Sequence, residues 1–195
     1  MYDYIKGSIE ELNPAEMVLE CSGIGYKIAI SINSYEKFRE QKECKVYIYH
    51  HIREDEETLF GFWDKHERWI FTLLISVSGI GPNTARMMLS SLSAQEVSTA
   101  ITSGDVNRIK GVKGIGLKTA QKVIIELKDK ISKGGVAEID LSPAGGTNQF
   151  TKEATSALIL LGFAKSAVEK AVSAIVTKEP DASLEEIIKK ALKVL

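Results

Sequence analysis

A duplicated glycine turn constrains the fold of this chain more than any other feature of its sequence. The stretches SGIGPNTARMMLSSL at 78–92 and KGIGLKTAQKVIIEL at 113–127 each contain Gly-Ile-Gly followed by a helical pattern. The same layout recurs around the first glycines, Gly79 and Gly114: a helix, a short turn and the start of another helix. Gly79 and Gly114 are 35 residues apart, a spacing that also occurs in helical repeat proteins. Two copies, however, form a pair and not a solenoid. The sequence therefore predicts two related helical hairpins.

Each turn has the chemistry expected of a phosphate-binding site. Glycine permits positive φ and lets another backbone come close, and a helix start offers unpaired N–H groups at the positive end of its dipole. The middle isoleucines are expected to point into the hairpins and hold their shape. Backbone donors of this kind contact phosphate and cannot select a base sequence. The candidate DNA-binding residues are Gly79, Ile80, Gly81, Asn83, Thr84, Lys113, Gly114, Ile115, Gly116, Lys118 and Thr119.

A lone Gly-x-Gly before a helix is often only a tight turn, so the surroundings of the glycines matter. The duplication, the flanking helices and four nearby lysines favour DNA phosphate over a plain turn. These lysines are Lys110, Lys113, Lys118 and Lys122. When one copy is laid over the other, Asn83 falls on Lys118, so the first hairpin lacks a lysine. Lys118 is therefore the expected cationic anchor, and Arg86 is another candidate.

Charge is unevenly distributed along the chain, although its formal net charge is only −1. Lys and Arg number seven against thirteen Asp and Glu in residues 1–64, ten against five in 65–131, and eight against eight in 132–195. The duplicated turns therefore lie in a basic segment behind an acidic one. This distribution is typical of a locally cationic nucleic-acid-binding module, whereas the net charge alone argues against one.

Hydrophobic periodicity divides the chain into four segments. Residues 1–64 contain five short stretches of period two, with a charged helical segment between the third and the fourth, and this order predicts an OB-type barrel. Residues 65–131 have helical periodicity and resemble a tandem helix-hairpin-helix domain. Residues 132–148 are small, polar and rich in Gly and Pro, which predicts a flexible linker. Residues 149–195 predict a three-helix bundle, whose last helix begins with the capping box Ser183–Glu186. The predicted fold class is α+β and multidomain.

Taken together, these segments resemble the RuvA family, the Holliday-junction-binding subunits of the bacterial branch-migration complex. The resemblance covers the whole chain and rests on IREDEETLFGF, SGIGPNTA, VKGIGLKTA and ALILLGF. It implies a homotetramer, or an octamer on DNA, whose concave face holds an open four-way junction in recombination and DNA repair. It also implies that ATP hydrolysis belongs to the partner motor RuvB, that the resolvase RuvC is a further partner, and that the protein is not an enzyme. No cofactor and no metal are expected.

The acidic run REDEE at 53–57 permits three interpretations. It is a solvated turn between the fourth and fifth strands, a Mg²⁺ site of a nuclease, or, by the family resemblance, an acidic pin formed by Glu54 and Asp55 at the junction centre. The nuclease interpretation is disfavoured because neighbouring carboxylates on one hairpin tip rarely converge on an ion. The pin is preferred because carboxylates repel phosphates and would hold the crossover open.

The apolar residues of the C-terminal segment have two interpretations, a small core or a partner groove. Leu158, Ile159, Leu161 and Phe163 are expected to contribute more to the core, since a bundle of this size needs most of its apolar side chains inside. By resemblance the bundle binds RuvB, and Leu161 and Phe163 are the candidate partner-binding residues.

Two other functions compete with junction binding. A helix-hairpin-helix DNA glycosylase requires a base-flipping pocket and a catalytic Asp or Lys soon after the hairpin, and Asp129 and Lys130 lie in that direction. A single-strand-binding barrel would stack bases on exposed aromatic side chains. The aromatic pairs at 47 and 49 and at 60 and 62 each share a face of a strand, and one or both of these faces should be core.

The remaining features concern location and redox state. Cys21 and Cys44 lie among alternating apolar residues without metal-ligand spacing, so buried thiols are expected rather than a disulfide or a zinc site. No apolar run approaches the length of a membrane span, and the first residues, MYDYIKGSIEEL, do not have the pattern of a secretory signal. A cytoplasmic protein without membrane contact is therefore expected.

Overall fold

The computed structural model describes residues 2–134, 147–180 and 182–195, apart from the side chains of 133, 134, 147–149 and 160. The chain divides into two compact units, of which the first contains a barrel and five further helices and the second contains three helices. This arrangement confirms the predicted order of a five-stranded barrel, a helical domain and a C-terminal three-helix region.

The N-terminal part is a closed five-stranded barrel with one helix. Its strands are β1 Tyr4–Leu12, β2 Glu16–Cys21, β3 Ile24–Ile30, β4 Glu43–Ile52 and β5 Glu57–Phe62, and helix α1 Ile32–Phe38 lies between β3 and β4. The strand order around the barrel is β1-β2-β3-β5-β4. Strands β3 and β5 pair in parallel, whereas the other neighbours pair antiparallel. This is the OB-type topology that the sequence predicts.

Alternation along β5 gives the barrel an inner and an outer apolar face. Gly61 points inward, where an added Cβ would lie 2.5 Å from Ile28 Cγ2 and 2.7 Å from Val46 Cγ1, so only glycine fits there. Phe60 and Phe62 point outward and are 3% and 2% exposed. Another part of the chain must therefore cover the outer face of the barrel at β5.

The helical domain covers this outer face. Its helices are α2 Lys65–Ile75, α3 Pro82–Ser91, α4 Ala94–Ser103, α5 Val106–Lys110 and α6 Leu117–Gly134. The ring of Phe71 on α2 lies 5.3 Å from Tyr49, 5.2 Å from Phe60 and 4.9 Å from Phe62, measured between ring centroids. The prediction that the alternating aromatic pairs form core is thereby confirmed for this face.

Helix α5 was not predicted from hydrophobic periodicity. It has only five residues, which is too short to display a helical repeat. It is bounded by Gly104, which ends α4 with a φ of 77°, and by Asp105, whose side chain accepts a hydrogen bond from the Arg108 amide at 3.0 Å. These are ordinary helix-end and N-cap signals. Helix α5 forms the first arm of the second hairpin.

The second unit is a bundle of α7 Thr147–Leu160, α8 Lys165–Lys178 and α9 Leu184–Ala191. The Ser183–Glu186 capping box is present as predicted. Leu158 is fully buried and Phe163 packs half-buried against the core, as expected, but Ile159 and Leu161 are 37% and 63% exposed, so the core interpretation is wrong for these two residues. Of the predicted linker at 132–148, the first three positions belong to α6 and the last two to α7; the rest lies outside the described residues.

Candidate nucleic-acid interface

The first glycine hairpin joins α2 to α3. Gly79 has a φ of 98°, a conformation that L side chains rarely adopt. Ile80 is 4% exposed, and its amide donates to the Val77 carbonyl at 3.0 Å. The Ala85 amide donates to Gly81 O at 3.0 Å and begins the hydrogen-bonding pattern of α3. The isoleucine therefore anchors the turn from inside, as the sequence predicts.

The second glycine hairpin joins α5 to α6 and repeats these contacts. Gly114 has a φ of 88°, and Ile115 is 5% exposed. The Ile115 amide donates to Val112 O at 3.1 Å, and the Ala120 amide donates to Gly116 O at 2.9 Å. Each contact has its counterpart 35 positions earlier, so the sequence repeat corresponds to a repeat of backbone hydrogen bonds.

Both hairpins leave backbone donors available at a helix start. In α3 the amides of Asn83 and Thr84 donate to no described residue, and in α6 the same holds for the amides of residues 117–119. No side chain caps α3, because its N-cap residue is Gly81. An added Cβ on Gly81 or Gly116 would meet no heavy atom within 4 Å. Each turn is therefore an open, uncapped helix N-terminus that an anion can approach closely.

The candidate cations differ in their availability. Lys113 and Lys118 are exposed beside the second hairpin. Lys122 lies 3.9 Å from Glu126 on the same helix. Arg86 is bound elsewhere, since its Nη1 donates to the Ala15 carbonyl of the barrel at 2.8 Å. Lys118 is therefore accessible, and its role as cationic anchor stays a prediction, whereas Arg86 connects α3 to the barrel.

The acidic run forms the turn between β4 and β5. The Arg53 amide donates to Glu56 O at 2.8 Å and closes the turn, while Glu54 and Asp55 are exposed at its tip. Across the described residues, no group of three or more His, Cys, Asp or Glu side chains is arranged to hold a metal ion. The carboxylates of this turn therefore form no cluster of the kind that a nuclease would need.

The base of the acidic turn lies next to the first glycine hairpin. One cleft of about 80 Å³ is lined by residues of both elements. These are His51, Arg53, Glu56, Thr58 and Phe60 of the barrel, and Pro82 and Asn83 of α3. Sequence reasoning missed this neighbourhood because the two elements are separated by α2 and no local pattern reports their contact.

A buried carboxylate joins the barrel to α2. Glu67 is 6% exposed and accepts hydrogen bonds from Ser31 Oγ and Ser34 Oγ, both at 2.6 Å, and from the Trp63 amide at 3.2 Å. Burial is the main reason why the pKa of Glu67 is raised above its ordinary value, against the lowering effect of these donors. These hydrogen bonds join α2 to the barrel within the first compact unit.

Two competing interpretations lose support from this geometry. The outer aromatic face of β4 and β5 is covered by α2, so these side chains are not a stacking platform for single strands. Asp129 and Lys130 are exposed on α6 and line neither the cleft beside Asn83 nor a second cleft between α4 and α5. A base-flipping glycosylase would need its catalytic residue inside a pocket.

The two cysteines are both free thiols. Cys44 is buried, as expected, whereas Cys21 is only half-buried. Burial raises the pKa of the Cys44 thiol to about 11, so it stays protonated and unreactive at neutral pH. Among the described helices, none is both long and apolar enough to cross a bilayer.

Comparison with known proteins divides the chain into the barrel, the tandem hairpins and the C-terminal bundle. The family model described as RuvA N terminal domain matches residues 1–61, SAM-like Helix-hairpin-helix tandem matches 71–129, and RuvA, C-terminal domain matches 149–195. A Bacteroides fragilis protein named Holliday junction branch migration complex subunit RuvA is 51% identical over 199 residues, which cover 99% of each chain. The chain belongs to the RuvA family.

Other RuvA proteins match over the same extent. The RuvA of Azobacteroides pseudotrichonymphae is 48% identical and that of Porphyromonas gingivalis is 43% identical, and both alignments cover 100% of each chain. The RuvA family membership confirms the resemblance recognised in the sequence. It also explains why the barrel, the tandem hairpins and the C-terminal bundle occur in this order.

Proposed function

We propose that this chain is the non-catalytic, junction-binding subunit of a branch-migration complex and binds four-way (Holliday) DNA junctions without sequence preference. The relatives that match it over their full length carry that subunit name. The observation that supports the proposal most is the pair of equivalent hairpins, each with free backbone amides at an open helix start. Backbone amides bind phosphate oxygens and are indifferent to the base sequence.

The two hairpins would bind the backbone of one duplex arm. The exposed Lys113 and Lys118 add positive charge to the second hairpin, and the dipoles of α3 and α6 add to it at both turns. Such contacts release counterions, so affinity falls with salt concentration. The DNA-binding residues are those predicted from the sequence, at 79–81, 83, 84, 113–116, 118 and 119.

Glu54 and Asp55 would act as an acidic pin at the centre of the junction. Their carboxylates are exposed at the tip of a closed turn, and the base of that turn adjoins the first hairpin. Charges of the same sign repel at close range. The pin would therefore keep the backbones apart at the crossover while the hairpins hold the arms.

The assembly would be a homotetramer, or an octamer on DNA, because four equivalent subunits match the four arms of a junction. RuvB would supply the ATP-driven motor, and RuvC would act on the same junction as resolvase in the cytoplasm. Leu161 is the better candidate for a contact with RuvB, since it is 63% exposed, whereas Phe163 packs partly against the bundle core.

The proposal is tested by measuring the affinity of the purified protein for a four-way junction, linear duplex, single strand and duplex containing a damaged base. Junction binding should be tightest and should not depend on sequence. Preference for single strands would support a stacking barrel instead, and preference for the damaged duplex with release of a base would support a glycosylase.

A further inference from the structure

The two glycine hairpins share a backbone arrangement but differ in charge. Position 118 of the second hairpin is an exposed lysine, and the equivalent position of the first is the uncharged Asn83. The first turn also begins with Pro82, which has no N–H group, so it offers one amide fewer than the second. On its own residues, the first hairpin is therefore the weaker phosphate site.

The barrel places an arginine beside this weaker hairpin. Arg53 follows the last residue of β4 and lines the cleft of about 80 Å³ that Pro82 and Asn83 close from the other side. The first hairpin therefore has a cation at its edge that comes from another element. The second hairpin carries its cation on its own helix.

Arg53 does not form the ion pairs that its sequence neighbours would suggest. Four carboxylates follow it directly in the chain, yet no described carboxylate lies within 4.0 Å of its nitrogens. Its Nε instead donates to His51 Nε2 at 3.0 Å. The terminal nitrogens donate to no described residue and remain available for an external acceptor.

His51 holds the arginine in this orientation. The imidazole stacks on Tyr49 with a centroid distance of 6.2 Å and meets the edge of Phe60 at 6.4 Å. Because Tyr49 and Phe60 pack on Phe71 of α2, the orientation of His51 depends on the interface between the barrel and the helices. His51 Nε2 is the acceptor for Arg53 Nε, so the imidazole ring and the guanidinium are held side by side.

We propose that Arg53 supplies the cation for the DNA phosphate bound at the first glycine hairpin, with His51 as its positioning residue. This inference rests on the proposed junction binding and adds to it a residue and a role. A guanidinium can donate two parallel hydrogen bonds to one phosphate, and the amides of Asn83 and Thr84 approach the same phosphate from the helix. Arg53 attracts a backbone at the base of the acidic turn, while Glu54 and Asp55 repel it at the tip.

The first experiment compares Arg53→Ala with Lys118→Ala and with wild type in junction titrations at several salt concentrations. Removing a charge-assisted hydrogen bond to phosphate should weaken binding about tenfold. It should also flatten the plot of log K against log salt by roughly 0.9 for each phosphate that is no longer neutralised. Lys118→Ala should have an effect of similar size. Arg53→Lys should keep the slope and lose part of the affinity, because lysine keeps the charge without the fork.

Arg39→Ala is the matched control for charge. Arg39 is an exposed barrel arginine that precedes the start of β4, whereas Arg53 follows its end. The ten residues of β4, which would span roughly 30 Å when extended, lie between the two positions in the chain. The control should bind with the wild-type slope. An unchanged slope in Arg53→Ala, in a protein with wild-type melting temperature and oligomeric state, would overturn the proposal.

A rescue experiment asks whether Arg53 and position 83 serve the same phosphate. Asn83→Lys introduces the lysine that the second hairpin carries, and in the Arg53→Ala background it should restore the slope and most of the affinity. A shared phosphate would be contradicted if Asn83→Lys raised the junction affinity of the otherwise wild-type protein but restored no affinity to Arg53→Ala.

The competing explanation is that Arg53 only screens the acidic pin. In that case the effect of Arg53→Ala would vanish once Glu54→Gln and Asp55→Asn remove the negative charges, whereas a direct phosphate contact predicts that the loss of affinity persists. The proposed function has its own test, since it would be rejected if the wild-type protein did not prefer junctions to linear duplex. Preference retained by wild type with no effect of Arg53→Ala would reject this inference alone.

Discussion

Gly81 and Gly116 separate the requirements of folding from those of binding. Neither has a positive φ, unlike Gly79 and Gly114, so the backbone at these two positions is accessible to any residue. An added methyl group would meet no heavy atom of the protein within 4 Å. The fold therefore does not require glycine at these two positions, whereas the proposed phosphate contact does, because the neighbouring amides can bind an anion that approaches closely.

The variants Gly81→Ala and Gly116→Ala should still fold, but they should bind DNA poorly. We expect the free energy of unfolding to fall by about 1 kcal/mol, since alanine is a poorer N-cap than glycine. Junction affinity should fall several-fold because the methyl group keeps the phosphate away from the amides. Urea unfolding and junction titration measure the two effects, and Gly79→Ala is the control that should lose stability through its positive φ. Loss of stability without loss of binding at Gly81 would refute the phosphate role.

The pin and nuclease interpretations of Glu54 and Asp55 predict opposite results. Replacing them by Gln and Asn removes repulsion toward phosphates, so junction binding should be unchanged or stronger, and affinity for linear duplex should rise. Labelled junction incubated with wild-type protein and Mg²⁺ should stay intact. Metal-dependent nicking that disappears in the double variant would establish the nuclease interpretation, and much weaker junction binding would exclude a repulsive role for the pin.

At the scale of elements, one buried carboxylate adds polar contacts to the apolar packing between barrel and helices. Glu67 of α2 ties together the end of β3, helix α1 and the residue after β5 through Ser31, Ser34 and Trp63. Helix α3 adds a second tie, since Asn33 Nδ2 donates to Leu89 O and Ser90 Oγ accepts from the Ile32 amide. These contacts join the barrel, which carries the acidic turn, to the helices that carry the first hairpin.

Glu67 should make stability depend on pH. A folded-state pKa raised above the ordinary value of 4.5 means that the stability contributed by Glu67 is complete below that value and is lost as pH rises through the raised pKa. The free energy of unfolding of wild type should therefore fall over this range relative to Glu67→Gln, which cannot ionise. At pH 4.5 Glu67→Ala should cost about 1–3 kcal/mol, because it leaves buried donors without an acceptor, and this cost should shrink as pH rises because alanine cannot ionise either. Urea unfolding from pH 4.5 upward checks both, and parallel pH profiles for wild type and Glu67→Gln would contradict this account.

Prediction from sequence succeeded where a repeating pattern was long enough to be read. The five strands, the two glycine hairpins, the buried isoleucines at 80 and 115 and the acidic turn follow from local periodicity and turn chemistry. Helix α5 was missed because five residues show no period. The joint at Glu67 and the proximity of Arg53 to Asn83 were missed because tertiary packing brings together segments that carry no common signal in the sequence.

At the scale of the whole molecule, negative and positive charge are concentrated in different segments of the chain. The segment with the barrel is acidic and the segment with the hairpins is basic, and both belong to one compact unit. In the proposed function, a single pair of hairpins would bind any duplex through its phosphates. Selectivity for a junction would arise when several subunits present their hairpins together, since each further arm would bind at a high effective concentration.

The central claim is most directly tested by competition. A labelled four-way junction bound by the protein is challenged with unlabelled junction and with unlabelled linear duplex of the same total length and base composition. The proposed function predicts that junction competitor displaces the label at far lower concentration than duplex does, and that the ratio is the same for junctions of unrelated sequence. Displacement at equal concentrations of junction and duplex would contradict it.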